Sequence, residues 1–125
     1  MNDIRLLLVD DEEEFVEALK ERLNMRDLDG HVAFSGMQAL EFVEENEPDV
    51  IILDLKMPGI DGMEVLRRVR KNYPAIQIIV HTGAGNDLDE IEARRLGVFD
   101  YLKKPADIDL LVDRIRAAYQ RRDEQ

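Results

Sequence analysis

Five side chains in this chain have types and positions suited to chemistry on a charged, oxygen-rich group. Asp10 and Asp11 follow the apolar run LLLV, and Asp54 follows VIIL. Thr82 sits in HTGAGN, and Lys104 sits in KKP. Two unit charges about 4 Å apart cost about 4 kcal/mol at an effective dielectric near ~20. Three carboxylates brought together therefore need a cation or bound protons. An oxygen-only donor set without Cys or His suits a hard ion that keeps several waters, which is Mg2+, with Mn2+ able to substitute. The Thr82 hydroxyl can donate to a phosphoryl oxygen, and the Lys104 ammonium can act on one as a point charge.

These residues need elements to bring them together, and the apolar pattern supplies them. Strand-like runs cover Ile4 to Val9, His31 to Phe34, Val50 to Leu53, Ile76 to Val80 and Val98 to Leu102. Each is followed by helical spacing. Phe15, Leu19 and Leu23 form the first stripe; Ala39, Leu40 and Val43 the second; Val65, Leu66 and Val69 the third. Leu88, Ile91 and Leu96 make a weaker fourth, and Ile108, Leu111, Val112, Ile115, Ala118 and Tyr119 the clearest. Strands alternating with helices predict an α/β doubly wound sandwich around a five-stranded parallel sheet with five helices. The continuously apolar LLLV and VIIL read as central strands buried on both faces. Ligands of such sheets sit beyond the carboxyl ends of the strands. Asp10 and Asp11, Asp54, Thr82 and Lys104 stand at four of those five ends.

Each residue also has an ordinary explanation. Acids favour helix N-termini, so DDEEE can be a helix start. Thr82 can be a turn hydroxyl, and a KK pair is usually solvated. Pro105 weighs against the last, because it constrains Lys104 and presets the following helix start. Lys103 is expected to face solvent. Pro58-Gly59-Ile60-Asp61-Gly62 reads as a tight turn shaping the loop beneath Asp54. The convergence at strand ends favours the chemical reading of the set.

Bulk properties set the frame. The chain has 125 residues, 45% of them apolar, and no Cys. It reads as a single domain over 1–125, with no linker and no residues left for an output domain. The net charge of −11 weighs against direct nucleic-acid binding. No stretch approaches the roughly 18 apolar residues of a membrane span, and no signal peptide precedes the first strand. A soluble, cytoplasmic protein without membrane contact is the expectation.

The segments LLLVDDEEE, VIILDLKMPGIDGMEVL, IIVHTGAG and FDYLKKP resemble the receiver domain of bacterial response regulators, over essentially the whole chain. The resemblance implies a flavodoxin-like sheet of strand order 2-1-3-4-5, as in the chemotaxis receiver. It implies a two-component phosphorelay in which Asp54 takes phosphate from a sensor histidine kinase or phosphotransfer protein. Asp11 would bind Mg2+ directly, Asp10 would act partly through water, and the Lys56 carbonyl would be a further ligand. Thr82 would be the switch hydroxyl, Lys104 the lysine that pairs with the phosphoryl group, and Tyr101 the aromatic that swings inward. The readout would fall on the fourth helix, fifth strand and fifth helix, toward a downstream protein target the sequence does not name. Leu88, Tyr101 and Leu110 are candidates for a phosphorylation-dependent homodimer face. Self-catalysed transfer to Asp54 and autodephosphorylation would be the only catalysis. In relatives, the positions of Lys56 and Ala84 tune phosphate loss; here Lys56 adds a positive side chain beside Asp54. His81, before the switch Thr, departs from the apolar or small residue often found there.

Two other classes compete. A Mg2+-dependent phosphatase resembling haloacid dehalogenases would need a second Asp two residues after its nucleophile, where this chain has Lys56. A pure interaction module would not need Asp11, Asp54, Thr82 and Lys104 together.

Overall fold

A computed structural model describes residues 3–83 and 85–123; Ala84 lies outside them. The elements run β1 (Leu6–Val9), α1 (Glu13–Asn24), β2 (Gly30–Ala33), α2 (Gly36–Glu45), β3 (Val50–Leu53), α3 (Gly62–Asn72), β4 (Gln77–Thr82), α4 (Asp87–Arg95), β5 (Asp100–Lys103) and α5 (Ile108–Asp123). All strand pairings are parallel, in the order β2-β1-β3-β4-β5. This is the expected doubly wound sheet. Among the described residues no helix is long and apolar enough to cross a membrane.

Side chains alternate across the sheet, as the pleat requires. Leu7, Val9, Ile51, Leu53, Ile78 and Val80 face one layer, where Ala39, Val43, Val65, Leu66, Val69 and Ala93 meet them. Leu6, Leu8, Val50, Ile52 and Ile79 face the other, against Leu19 and Leu23 of α1 and Leu111 and Ile115 of α5. Both faces of the central strands are therefore dry, which explains the unbroken apolar runs.

The helix starts show which polar residues are merely structural. Ser35 caps α2 by accepting from the Gln38 N–H, and Asp61 caps α3 by accepting from the Glu64 N–H. Asn86 and Asp89 close a capping box on α4. Asp107 accepts from the Leu110 N–H at 3.1 Å, and α5 begins only at Ile108. Pro105 therefore does not start α5; an Asx cap two residues later does. The side chain at the α1 N-cap, Glu12, makes no capping bond.

Two further differences stand out. β4 runs through Thr82, two residues past Val80, while β5 begins at Asp100 rather than Val98. On α4, Leu88 and Ile91 are 75% and 63% exposed, and Ala93 is the buried residue. That helix lies over the sheet edge beside β5. A small residue meets the layer there, and the bulkier ones point away.

Ion pairs tie the last helices to the sheet. Asp100 of β5 pairs with Arg114 of α5 at 2.9 Å and with Arg94 of α4 at 3.7 Å. Near the C-terminal end of α5, Arg122 pairs with the buried Asp49 at 2.9 Å and with Glu47 at 2.8 Å.

Candidate functional site

Strand register brings the polar residues together. Val9 is level with Leu53, and Leu53 with Val80, so Asp10 and Asp54 leave neighbouring strands side by side. The Asp54 N–H donates to the Val9 carbonyl at 3.0 Å and the Asp10 N–H to the Ala33 carbonyl at 3.1 Å. The ladder thus holds both backbones one residue beyond their strands. Asp10 and Asp54 are buried, 4% and 6% exposed.

Every oxygen of these two carboxylates has a partner. Asp54 Oδ1 accepts from the Thr82 hydroxyl at 2.8 Å and from the Lys56 N–H at 3.3 Å. Asp54 Oδ2 lies 3.5 Å from Lys104 Nζ. Asp10 Oδ2 lies 2.8 Å from the same ammonium, and Asp10 Oδ1 accepts from the Glu12 N–H at 2.9 Å. Lys104 also pairs with Glu12. Its own N–H donates to the Thr82 carbonyl at 3.1 Å.

Burial and charge act in opposite directions here. Burial pushes the Asp10 carboxyl above its ordinary range, although its hydrogen bonds with Lys104 and the Glu12 N–H oppose this. Burial alone would lower Lys104. Hydrogen bonds to Asp10 and Glu12, with the charges of Asp10 and Asp54, outweigh it and raise the ammonium pKa.

One oxygen each from Asp10, Glu12 and Asp54 lies within 4.8 Å of the others. This hard, all-oxygen donor set fits Mg2+. Glu12 was not anticipated, because an acid at a helix start looks the same whether it caps, faces solvent or turns into a pocket. Its only local signal is its spacing two residues past Asp10. Asp11, half-buried on the same bend, is not one of the three. Lys56 reaches the site through its N–H, while its ammonium pairs with Asp89 of α4 at 3.1 Å. Its charge is thus turned toward α4. Lys103 is exposed, as expected.

Tyr101 lies on the sheet face opposite Lys104, packed against the layer that holds α2 and α3. Its hydroxyl is buried without a hydrogen bond among the described residues. A Cβ on Gly85 would lie 2.0 Å from that oxygen and 2.9 Å from Thr82 Cγ2. Gly85 thus makes the room in which the ring end sits. Burial, with the charges of Asp89 and Glu90, raises the phenol pKa. Gly85→Ala is expected to turn the ring outward and return that pKa toward its ordinary value of about 10. Ultraviolet titration in a Tyr73→Phe, Tyr119→Phe background reads this; an unchanged pKa would refute it.

The family model described as response regulator receiver domain matches residues 6–116. A response regulator receiver domain protein from Clostridium thermocellum is 35% identical, with 97% of this chain and 98% of that chain covered and a TM-score of 0.89. The receiver domain of the Francisella response regulator 1452 is 32% identical, covers 94% and 98%, and has a TM-score of 0.86. A CheY-like receiver domain protein from Methanospirillum hungatei, at 22% identity, shares the fold over 98% of both chains with a TM-score of 0.93.

Proposed function

The chain belongs to the response regulator receiver domain family, and from that premise we propose that Asp54 is the phosphate acceptor of a two-component phosphorelay. The observation that carries this reading is the Asp54 carboxylate itself. It is buried at a strand end, with Thr82 and the Lys56 N–H on one oxygen and Lys104 beside the other.

The donor is a phosphohistidine on a kinase or phosphotransfer protein. An Asp54 carboxylate oxygen attacks phosphorus in line, the P–N bond breaks, and the imidazole leaves with its electron pair. The product is an acyl phosphate. Such transfers depend on positioning and charge neutralisation. Lys104 offsets charge on the equatorial oxygens, and the Thr82 hydroxyl moves its hydrogen bond from Asp54 to a phosphoryl oxygen. Asp10, Asp11, Asp54 and the Lys56 carbonyl, with Glu12 at the rim, are the groups that would hold Mg2+. When bound, Mg2+ supplies further neutralisation of the transferring group. Water attacking the same phosphorus returns Asp54 to its free form.

Thr82 and Tyr101 are the switch pair. The Thr82 hydroxyl already points to Asp54 and the Tyr101 hydroxyl is already enclosed. Phosphorylation therefore strengthens an arrangement the fold can adopt, shifting a population toward it. The altered surface of α4, β5 and α5 meets a protein target, and Leu88 and Leu110 on that surface are exposed.

Incubation with acetyl phosphate and Mg2+, followed by intact mass, tests the reading. The parent should gain one phosphoryl group and Asp54→Ala none. A parent that gains nothing from acetyl phosphate or from phosphohistidine donors would overturn it. Sustained turnover of phosphomonoesters would point instead to a phosphatase.

A further inference from the structure

His81 is fully buried, with 3% of its surface exposed. It stands immediately before Thr82 in β4, so its side chain projects from the opposite face of the sheet. Its Nε2 accepts a hydrogen bond from the Ala106 N–H at 3.1 Å. Accepting there leaves the ring proton on Nδ1. Burial, helped by the charge of Lys104, holds its pKa down to about 4, which keeps Nε2 an acceptor at neutral pH.

The neighbouring backbone explains why this bond matters. The Thr82 carbonyl accepts from the Lys104 N–H. Pro105 has no N–H to offer. Consecutive residues of β4 therefore grip the chain on both sides of Pro105, Thr82 before it and His81 after it. The His81 ring also lies 5.9 Å from the ring of Phe15 on α1. Lys104 Nζ sits over that same Phe15 ring, 4.5 Å from its centroid. The Phe15 ring thus lies under the ammonium with His81 packed beside it, and the acids Asp10, Glu12 and Asp54 meet the ammonium itself.

We propose that His81 is a positioning residue for Lys104, holding the Lys104–Ala106 turn through the Ala106 N–H and backing Phe15 beneath the ammonium. This rests on the reading of Lys104 given above. A small misplacement of a charge that must meet a phosphoryl group costs rate even when the fold is intact.

Two variants test it. His81→Val removes the acceptor and keeps a strand-compatible apolar side chain; His81→Gln keeps an acceptor of similar reach. Without any phosphodonor, His81→Val should speed Ala106 amide exchange about tenfold, the scale of one lost hydrogen bond, and shift the Lys104 Nζ nitrogen resonance. With acetyl phosphate and Mg2+, His81→Val should slow phosphoryl uptake about tenfold. His81→Gln should recover most of that loss. In a Lys104→Met background the His81→Val effect should shrink to less than about twofold, because the two act as one unit. A tenfold loss that persists in that background would overturn the proposal. So would an Ala106 amide and a Lys104 resonance indifferent to His81→Val. Should the parent take up no phosphate, the reading of Asp54 fails, and the exchange and resonance data still decide the role of His81.

Discussion

Gly62→Ala should cost at least ~4 kcal/mol of folding stability, a loss reserved for backbone-level conflict or large cavities. A Cβ at Gly62 would lie 2.0 Å from the Asp54 carbonyl oxygen and 2.5 Å from Leu55 Cα. Both are backbone atoms that no rotamer change can move. The Gly62 N–H also donates to the Leu55 carbonyl at 2.9 Å, which locks α3 against the residues just after β3. A domain of this size has a total stability on the order of 6–15 kcal/mol, so the loss is a large share of it. The melting temperature should fall on the order of 15 °C. Gly59 supplies the control. It has a φ of +76° with nothing near its missing Cβ, so Gly59→Ala meets only backbone strain of ~1 kcal/mol. Equal midpoints for the two variants in urea would refute the argument. If Gly62→Ala folds at all, its Asp54 carbonyl will have moved, and phosphoryl uptake will fall with it.

Lys104→Met should have the largest effect on chemistry. The lysine side chain is 8% exposed and, among the described residues, is the cation paired with both Asp10 and Asp54. Methionine fills similar volume without charge. Loss of a charge stabiliser aimed at a transferring group slows the reaction by about two to three orders of magnitude. Intact-mass time courses with acetyl phosphate would measure this, and a rate within twofold of the parent would refute it. The same variant leaves buried carboxylates without their partner, which costs about 3–5 kcal/mol. In chelator it should therefore melt well below the parent. Millimolar Mg2+ should recover much of the difference, because an ion that binds only the folded state stabilises by mass action, and in the parent it must compete with the Lys104 ammonium for the same carboxylates. Melting temperatures that Mg2+ leaves unmoved in both proteins would mean that the acids do not hold the ion.

The continuous apolarity of LLLV and VIIL was enough to place β1 and β3 at the centre of the sheet. The strand order implied by the family resemblance then put Asp10 and Asp54 at neighbouring ends. Thr82 and Lys104 followed from the same logic, and all four meet in the structure. Interactions between distant parts of the chain were harder to read. Gly62 looks like an ordinary turn residue and Gly85 carries no signal of its own, because nothing local records a carbonyl or a phenol oxygen pressing on a missing Cβ. Phe15 looked like core, and its second role beneath Lys104 depends on how α1 meets the turn after β5. Leu88 and Ile91 fit a helical stripe, but a stripe does not say what lies opposite it. At a sheet edge the answer was solvent, with Ala93 making the contact instead.

The two helices flanking β5 are not equally anchored. α5 is clamped at its middle by Arg114 on Asp100 and near its C-terminal end by Arg122 on Asp49. α4 reaches Asp100 only through the longer Arg94 contact and buries one small side chain of its own. Exposed pairs of this kind contribute at most about 1 kcal/mol each, so α4 has little to hold it in register. Local opening is cheapest where buried apolar contact is least. The edge of the sheet therefore carries one soft helix beside one stiff helix. If Asp54 takes phosphate as proposed, strain passed through Tyr101 or through Lys56 on Asp89 should be relieved by movement of α4, with α5 as the fixed reference.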